Sequence, residues 1–183
     1  MKNRIELAEH FNRLGFKRGA EIGVCNGRYS KILCEKIPDL ELIGIDYYRP
    51  YGGHGIHRLQ STQDDNLLVT REKLKDYPKY TLLINVAHEA VKWIADESLD
   101  FVFIDSDHSY EAVYQDIRDW APKVRKGGIV SGHDYYQGKS GRMGVVKAVD
   151  EFIAENPQYT LETTEWDNEA DRDDRQPDWY FTK

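Results

Sequence analysis

The feature that most constrains the fold is an alternation of two patterns. Short apolar runs at residues 20–24, 41–46, 80–86, 99–105 and 129–131 read as buried strands. Between and around them, residues 5–14, 29–37, 64–76, 89–95, 110–124 and 145–154 read as helices. Gly15, Pro38 and Pro157 close three of those helices, and Gly127-Gly128 marks a turn before the fifth strand. Strands separated by helices imply a mostly parallel sheet covered on both faces. Residues 159–164 and 179–182 add two strands with no crossover helix, which requires an antiparallel hairpin. The expected architecture is therefore α/β, a Rossmann-like doubly wound sheet of seven strands, mostly parallel with a C-terminal antiparallel hairpin.

The chain has 183 residues, enough for one domain spanning 1–183, with an N-terminal helix in 1–18 and an acidic hairpin loop at 162–178. The formal charge is −7, and the 162–178 segment supplies six of those charges through eight acids against Arg172 and Arg175. A near-neutral body with one acidic segment argues against nucleic acid as a partner. No apolar run is long enough for a membrane span, and the polar start lacks the apolar stretch of a signal peptide. Cys25 and Cys34 make no disulfide framework, so a cytoplasmic protein is expected. A homodimer stays open.

The first strand runs into Glu21-Ile-Gly23-Val-Cys-Asn-Gly27-Arg-Tyr-Ser30. Gly23 lets the backbone approach a ligand closely, and Gly27 feeds a helix whose free N–H groups favour a negative group. Asp46 ends the second strand, where a carboxylate can accept hydrogen bonds from ribose hydroxyls. The dinucleotide pattern G-x-G-x-x-G is not met. Two further segments carry chemistry: Asp105-Ser-Asp107-His108 after the fourth strand and His133-Asp134 after the fifth. Adjacent parallel strands would bring them to one edge, where carboxylates and imidazoles are costly unless they bind something. The oxygen-rich set suits Mg²⁺, Mn²⁺ or Ca²⁺, the histidines shift the balance toward Mn²⁺, Fe²⁺ or Zn²⁺, and Asp107 or Ser109 also suits the N-cap of the next helix.

Glu-x-Gly-x-x-x-Gly with Asp46 resembles the class I S-adenosylmethionine-dependent methyltransferases. The segments around Asp105, Gly132-His-Asp-Tyr135, Gly144–Phe152 and the terminal Trp-Tyr-Phe-Thr-Lys are similar to the macrocin and cephalosporin-hydroxylase-like O-methyltransferase subgroup. The resemblance implies that Glu21 lies near the methionine amino group, that Gly23 and Gly27 pack against the cofactor and that Asp46 holds the ribose. Tyr47, Asn85 and Asp105 complete the implied cofactor contacts. It also implies a divalent cation, Mg²⁺ or Mn²⁺, held by Asp105, His133 and Asp134 beside a small-molecule methyl acceptor, although relatives usually carry an acid where His133 stands. Without metal, His108 or His133 is the candidate general base.

Two rival readings remain on the same fold: an NAD-dependent oxidoreductase, against which the missing third glycine speaks, and a metal-dependent hydrolase or binding module using the Asp/His cluster alone. Residues 47–57 and 137–142 are candidate lids. The acidic segment leaves the sheet at the carboxyl edge, so Glu165 to Asp174 is expected beside the acceptor entrance, where it would disfavour anionic acceptors, or as a solvated loop.

Overall fold

Side-chain alternation along the central strands decides which helix covers which face. In the computed structural model, which describes residues 1–50, 59–137, 144–172 and 174–183, strand β4 (Leu99–Ile104) sends Val102 and Ile104 to one side and Phe101 and Phe103 to the other. On the first side they meet Val113, Ile117 and Trp120 of α5 (Tyr110–Trp120) and Val149 and Phe152 of α6 (Val145–Glu155). On the second they meet Leu7 and Phe11 of α1 (Arg4–Arg13) and Leu33 of α2 (Arg28–Lys36). Each fully buried Leu, Ile or Phe contributes roughly 1.5–3 kcal/mol of transfer free energy. The two clusters are therefore the main cohesion of the fold.

The other strands are β1 (Arg18–Ile22), β2 (Glu41–Asp46), β3 (Tyr80–Ile84), β5 (Val124–Gly132), β6 (Glu162–Thr163) and β7 (Trp179–Thr182). Their order is β3-β2-β1-β4-β5-β7-β6. The first five are parallel, and β7 runs antiparallel to both β5 and β6. Seven strands, the parallel core and the closing hairpin agree with the sequence reading. Strand order reverses between β1 and β4, which opens a crevice at their carboxyl ends.

Four local differences have physical causes. The Gly127-Gly128 pair does not end a turn before a short strand. It lies inside β5, where five β5 residues from Val124 to Gly128 pass opposite Leu99 and Asp100, and Gly127 adopts φ +73°. Helix α3 (Gln60–Leu74) starts four residues earlier than expected because its buried face is polar, with Gln63 and Thr70 inside. The expected helix 89–95 is one short turn, α4 (Ala87–Ala90), followed by a 3-10 turn at Val91–Trp93. Finally, β6 shrinks to two residues at the sheet edge. No described helix is long and apolar enough to cross a membrane.

Candidate active site

The loops after β1, β2, β4 and β5 meet at the carboxyl edge. Gly23 leaves β1 at φ +90°, and its N–H donates to the Ile45 carbonyl at 2.9 Å. A Cβ there would collide with the Asp105 carbonyl oxygen, so only glycine lets the loop pass beneath the end of β4. Gly27, at φ +72°, starts α2 without a side-chain cap. Asp46 is tied to the glycine loop: one carboxylate oxygen accepts from the Cys25 N–H at 2.8 Å, the other from the Tyr48 N–H at 3.0 Å. Burial raises the Asp46 carboxyl above its ordinary range, against those backbone bonds. Asn85 caps its neighbour, its side-chain oxygen accepting from the Val86 N–H at 2.9 Å. Tyr47 stands half-exposed at the rim.

Two cavities open at this edge. The first, about 280 Å³, is lined by Gly23, Asp46, Tyr47, Asn85 and Asp105, five of the seven expected cofactor contacts. The second, about 470 Å³, is lined by Arg4, Glu21, His108, His133 and Asp134. They share Gly23, Cys25, Asp105 and Ser106, so the two form one crevice. Gly27 lines neither. Glu21 is 2 % exposed and accepts a hydrogen bond from the Ser30 hydroxyl. Burial pushes its carboxyl up to about 8, so it is neutral near pH 7 while the crevice is empty.

The ends of β4 and β5 carry the polar cluster. His108 Nε2 lies 3.2 Å from Asp105 Oδ1 and 3.4 Å from Asp134 Oδ2. Burial would lower the His108 pKa, but the bond and charge of Asp105 and the charge of Asp134 push it up to about 9. Burial would raise Asp105, but the His108 bond and the charges of His133 and Arg4 hold it down at about 2. Asp134 reaches the cluster from the left-handed region, φ +61°, a conformation Asp tolerates at some cost. Ser109, not Asp107, holds the N-cap position of α5 and makes no side-chain cap bond there, while the Asp107 carboxylate accepts from the Ser109 N–H at 2.7 Å in the turn just before the helix.

The expected ligand trio was Asp105, His133 and Asp134. Among the described residues, the trio whose ligating atoms lie within 4.8 Å of one another is Asp105, His108 and Asp134. His133 faces a different partner, its Nδ1 standing 2.7 Å from Asp178 Oδ1 while its Nε2 is 3.9 Å from Asp134 Oδ1. Asp178 is fully buried at the start of β7, and burial raises its pKa against the His133 bond.

The acidic segment is also placed differently from both expectations. It follows β6 to the carboxyl edge, but it is neither a free rim of charge nor solvated throughout. Asp174, 2 % exposed, accepts from Arg4 Nε at 2.6 Å and from Arg28 at 2.5 Å. Asp171 also meets Arg28, at 2.9 Å, and Asp167 accepts from Asn3 at 2.7 Å. Trp166 packs edge-on against Tyr136. Of the segment's described residues, Arg172 and Gln176 line the second cavity. The candidate lid residues Tyr51, His54, His57, Lys139 and Arg142, and Asp173, lie outside the described residues.

Arg4 was missed from sequence. It reads as an ordinary cation at the start of a helix, yet it is 5 % exposed and bridges Asp174 to Asp105, the latter at 3.2 Å. Asp178 was counted only as part of an acidic run.

No curated protein matches the chain. Among solved structures it resembles an O-methyltransferase from Bacillus cereus in complex with SAH, at 13% identity and TM-score 0.72, over 98% of this chain and 80% of that one. It also resembles the O-methyltransferase TomG from Streptomyces achromogenes in complex with SAM, at 15% identity and TM-score 0.72, over 98% and 79%. A third neighbour is a candidate rRNA methylase from Clostridium thermocellum, at 19% identity and TM-score 0.68, over 100% and 97%. The methyltransferase-domain family model matches residues 20–135, which run from the glycine loop through the Asp105 and Asp134 segments and set aside the oxidoreductase and hydrolase alternatives. With more than half its length matched and the sheet order described above, the chain belongs to the methyltransferase-domain family.

Proposed function

We propose that the chain transfers the methyl group of S-adenosylmethionine to an oxygen of a small polar acceptor. The observation that carries this reading is the single crevice with two chemically different halves. One half holds Asp46 beside the glycine loop, suited to a ribose; the other holds His108 between two carboxylates, suited to an acceptor hydroxyl. Two structural neighbours were solved with SAH or SAM bound, which supports the same cofactor here. A net charge of −7 favours a small molecule over the RNA suggested by the third neighbour's name.

Methyl transfer asks for positioning and for removal of one acceptor proton. Glu21 and Asp46 would bind the two ends of the cofactor's methionyl-ribose portion. His108 would take the acceptor proton at Nδ1 once the ring is neutral, because its Nε2 carries the hydrogen facing Asp105 and Asp134. With the ring held protonated up to about 9, turnover should climb as pH rises toward that value. The donor set also fits a divalent cation: two carboxylates and one imidazole favour Mn²⁺ over Mg²⁺. Such an ion would lower the pKa of the acceptor hydroxyl. Arg4 already occupies one oxygen of Asp105, so that residue would offer a single oxygen.

Calorimetry with SAH and transfer of labelled methyl from S-adenosylmethionine to catechol, with and without Mn²⁺, test the reading. A folded protein that binds neither SAH nor S-adenosylmethionine would overturn it. The buried Glu21 adds a pH signature. Only the ionised carboxylate attracts the cofactor's ammonium, and the empty protein holds Glu21 protonated up to about 8. SAH affinity should therefore climb as pH rises from about 6 toward 8. In Glu21→Gln the climb should disappear, because no proton is left to release.

A further inference from the structure

The lining of the first cavity includes a buried acid that none of the roles above uses. Asp116 lies in the second turn of α5 and is 7 % exposed, yet it lines that cavity. The Ser106 hydroxyl donates to Asp116 Oδ2 at 2.6 Å, and Asp116 Oδ1 accepts no hydrogen bond among the described residues. No cation pairs with it among those residues either. One hydroxyl is poor compensation for burying a carboxyl, and burial raises the group to about 6. Around it the wall is apolar, made by Ile45, Val86, Ala87 and Ala112.

We propose that Asp116 recognises the exocyclic amino group of the cofactor's adenine, with Ser106 fixing the carboxyl for that contact. This rests on the cofactor reading above. The ribose would sit at Asp46, at the end of β2. A base attached to it and directed away from the methionine half then runs between the Asn85–Ala87 turn after β3 and the Ser106 loop after β4. Both segments line the cavity, the first through the apolar Val86 and Ala87 and the second through Asp105, Ser106 and Asp107, while Ala112 and Asp116 of α5 complete that lining. A flat purine suits the apolar walls, and an amino group gives Oδ1 the donor it lacks. A hypoxanthine in the same place would present an oxygen to that oxygen, which is unfavourable. Asp116 is thus a specificity-determining residue, separate from the ribose and methionine contacts.

Calorimetry on the full chain compares SAH with S-inosylhomocysteine, in which the amino group is replaced by oxygen. The unsubstituted protein should prefer SAH by about tenfold or more, the range of one hydrogen bond to a charged group. Asp116→Ala should lose about the same factor in SAH affinity. In Asp116→Asn, which keeps the shape and can still accept from Ser106, the preference should narrow, because an amide can turn its NH₂ toward the hypoxanthine oxygen. The comparison on the unsubstituted protein needs no variant, so a folding defect in Asp116→Ala does not decide the matter. Equal binding of the two ligands by the unsubstituted protein, or SAH affinity unchanged in both variants, would overturn the assignment alone. Failure of the unsubstituted protein to bind SAH at all would overturn the cofactor reading and this one with it.

Discussion

Arg4→Met is expected to cost about 3 kcal/mol of stability, the lower end of the range for removing one partner of a buried ion pair. In a chain of this size that lowers Tm by roughly 6–12 °C. The argument rests on what the substitution leaves behind. Asp174 is 2 % exposed and would lose the guanidinium at 2.6 Å, keeping Arg28 at 2.5 Å as its one cation among the described residues. Asp105 would lose the guanidinium at 3.2 Å and keep His108 on its other oxygen. Methionine fills much of the space of the arginine stem, so the loss reports charge more than packing. Arg4→Lys should recover little, because an ammonium cannot reach two carboxylates as a planar fork does. Adding Asp174→Asn to Arg4→Met should cost less than the two single changes summed, since the second removes the charge that the first strands. Thermal melts of the three variants check this; an Arg4→Met protein melting within about 2 °C of the parent would refute the buried pair.

That bridge also shows where sequence reading stops. The parallel strands were legible because each carries a short apolar run, and those ending in an acid at the carboxyl edge gave Asp46 and Asp105 away. Strands β2 and β7 were read to the residue. Gly23 and Gly27 were legible because positive φ leaves few other choices. The start of α3 was not, because Gln63 and Thr70 occupy buried positions where the pattern looks for apolar side chains. Arg4 and Asp174 stand 170 positions apart, and neither local composition nor spacing tells that they meet. The same limit applies to the two histidines. His108 and His133 both follow acid-bearing strand ends, and which one faces the crevice carboxylates depends on Asp178, placed beside His133 by the antiparallel return of β7.

Substitution of those histidines should separate chemistry from scaffolding. His108→Ala is expected to lower turnover by about 10²–10⁴-fold, the usual worth of a positioned acid–base group. SAH binding should stay within about threefold, a difference of less than 1 kcal/mol. The grounds are geometric: His108 Nε2 sits 3.2 Å and 3.4 Å from two carboxylates, and its side chain is 39% exposed, open to an acceptor. His133 is 5% exposed, and its Nδ1 is spent on Asp178 at 2.7 Å. Among the described residues, His133→Ala would leave the fully buried Asp178 carboxyl with only Thr164 to bond it, at 3.3 Å. That variant should therefore lose stability by about 1–3 kcal/mol, the cost of an unsatisfied buried group. Asp178→Asn should soften that loss when combined with His133→Ala, whereas it should do nothing for His108→Ala. Added imidazole offers a further discriminator: it can occupy the space left in His108→Ala and restore part of the turnover, because that site is open to solvent. If His108→Ala keeps more than about a tenth of parental turnover, or if His133→Ala is the more damaging change at equal foldedness, the proton acceptor is His133 and the arrangement around Asp105 serves binding alone.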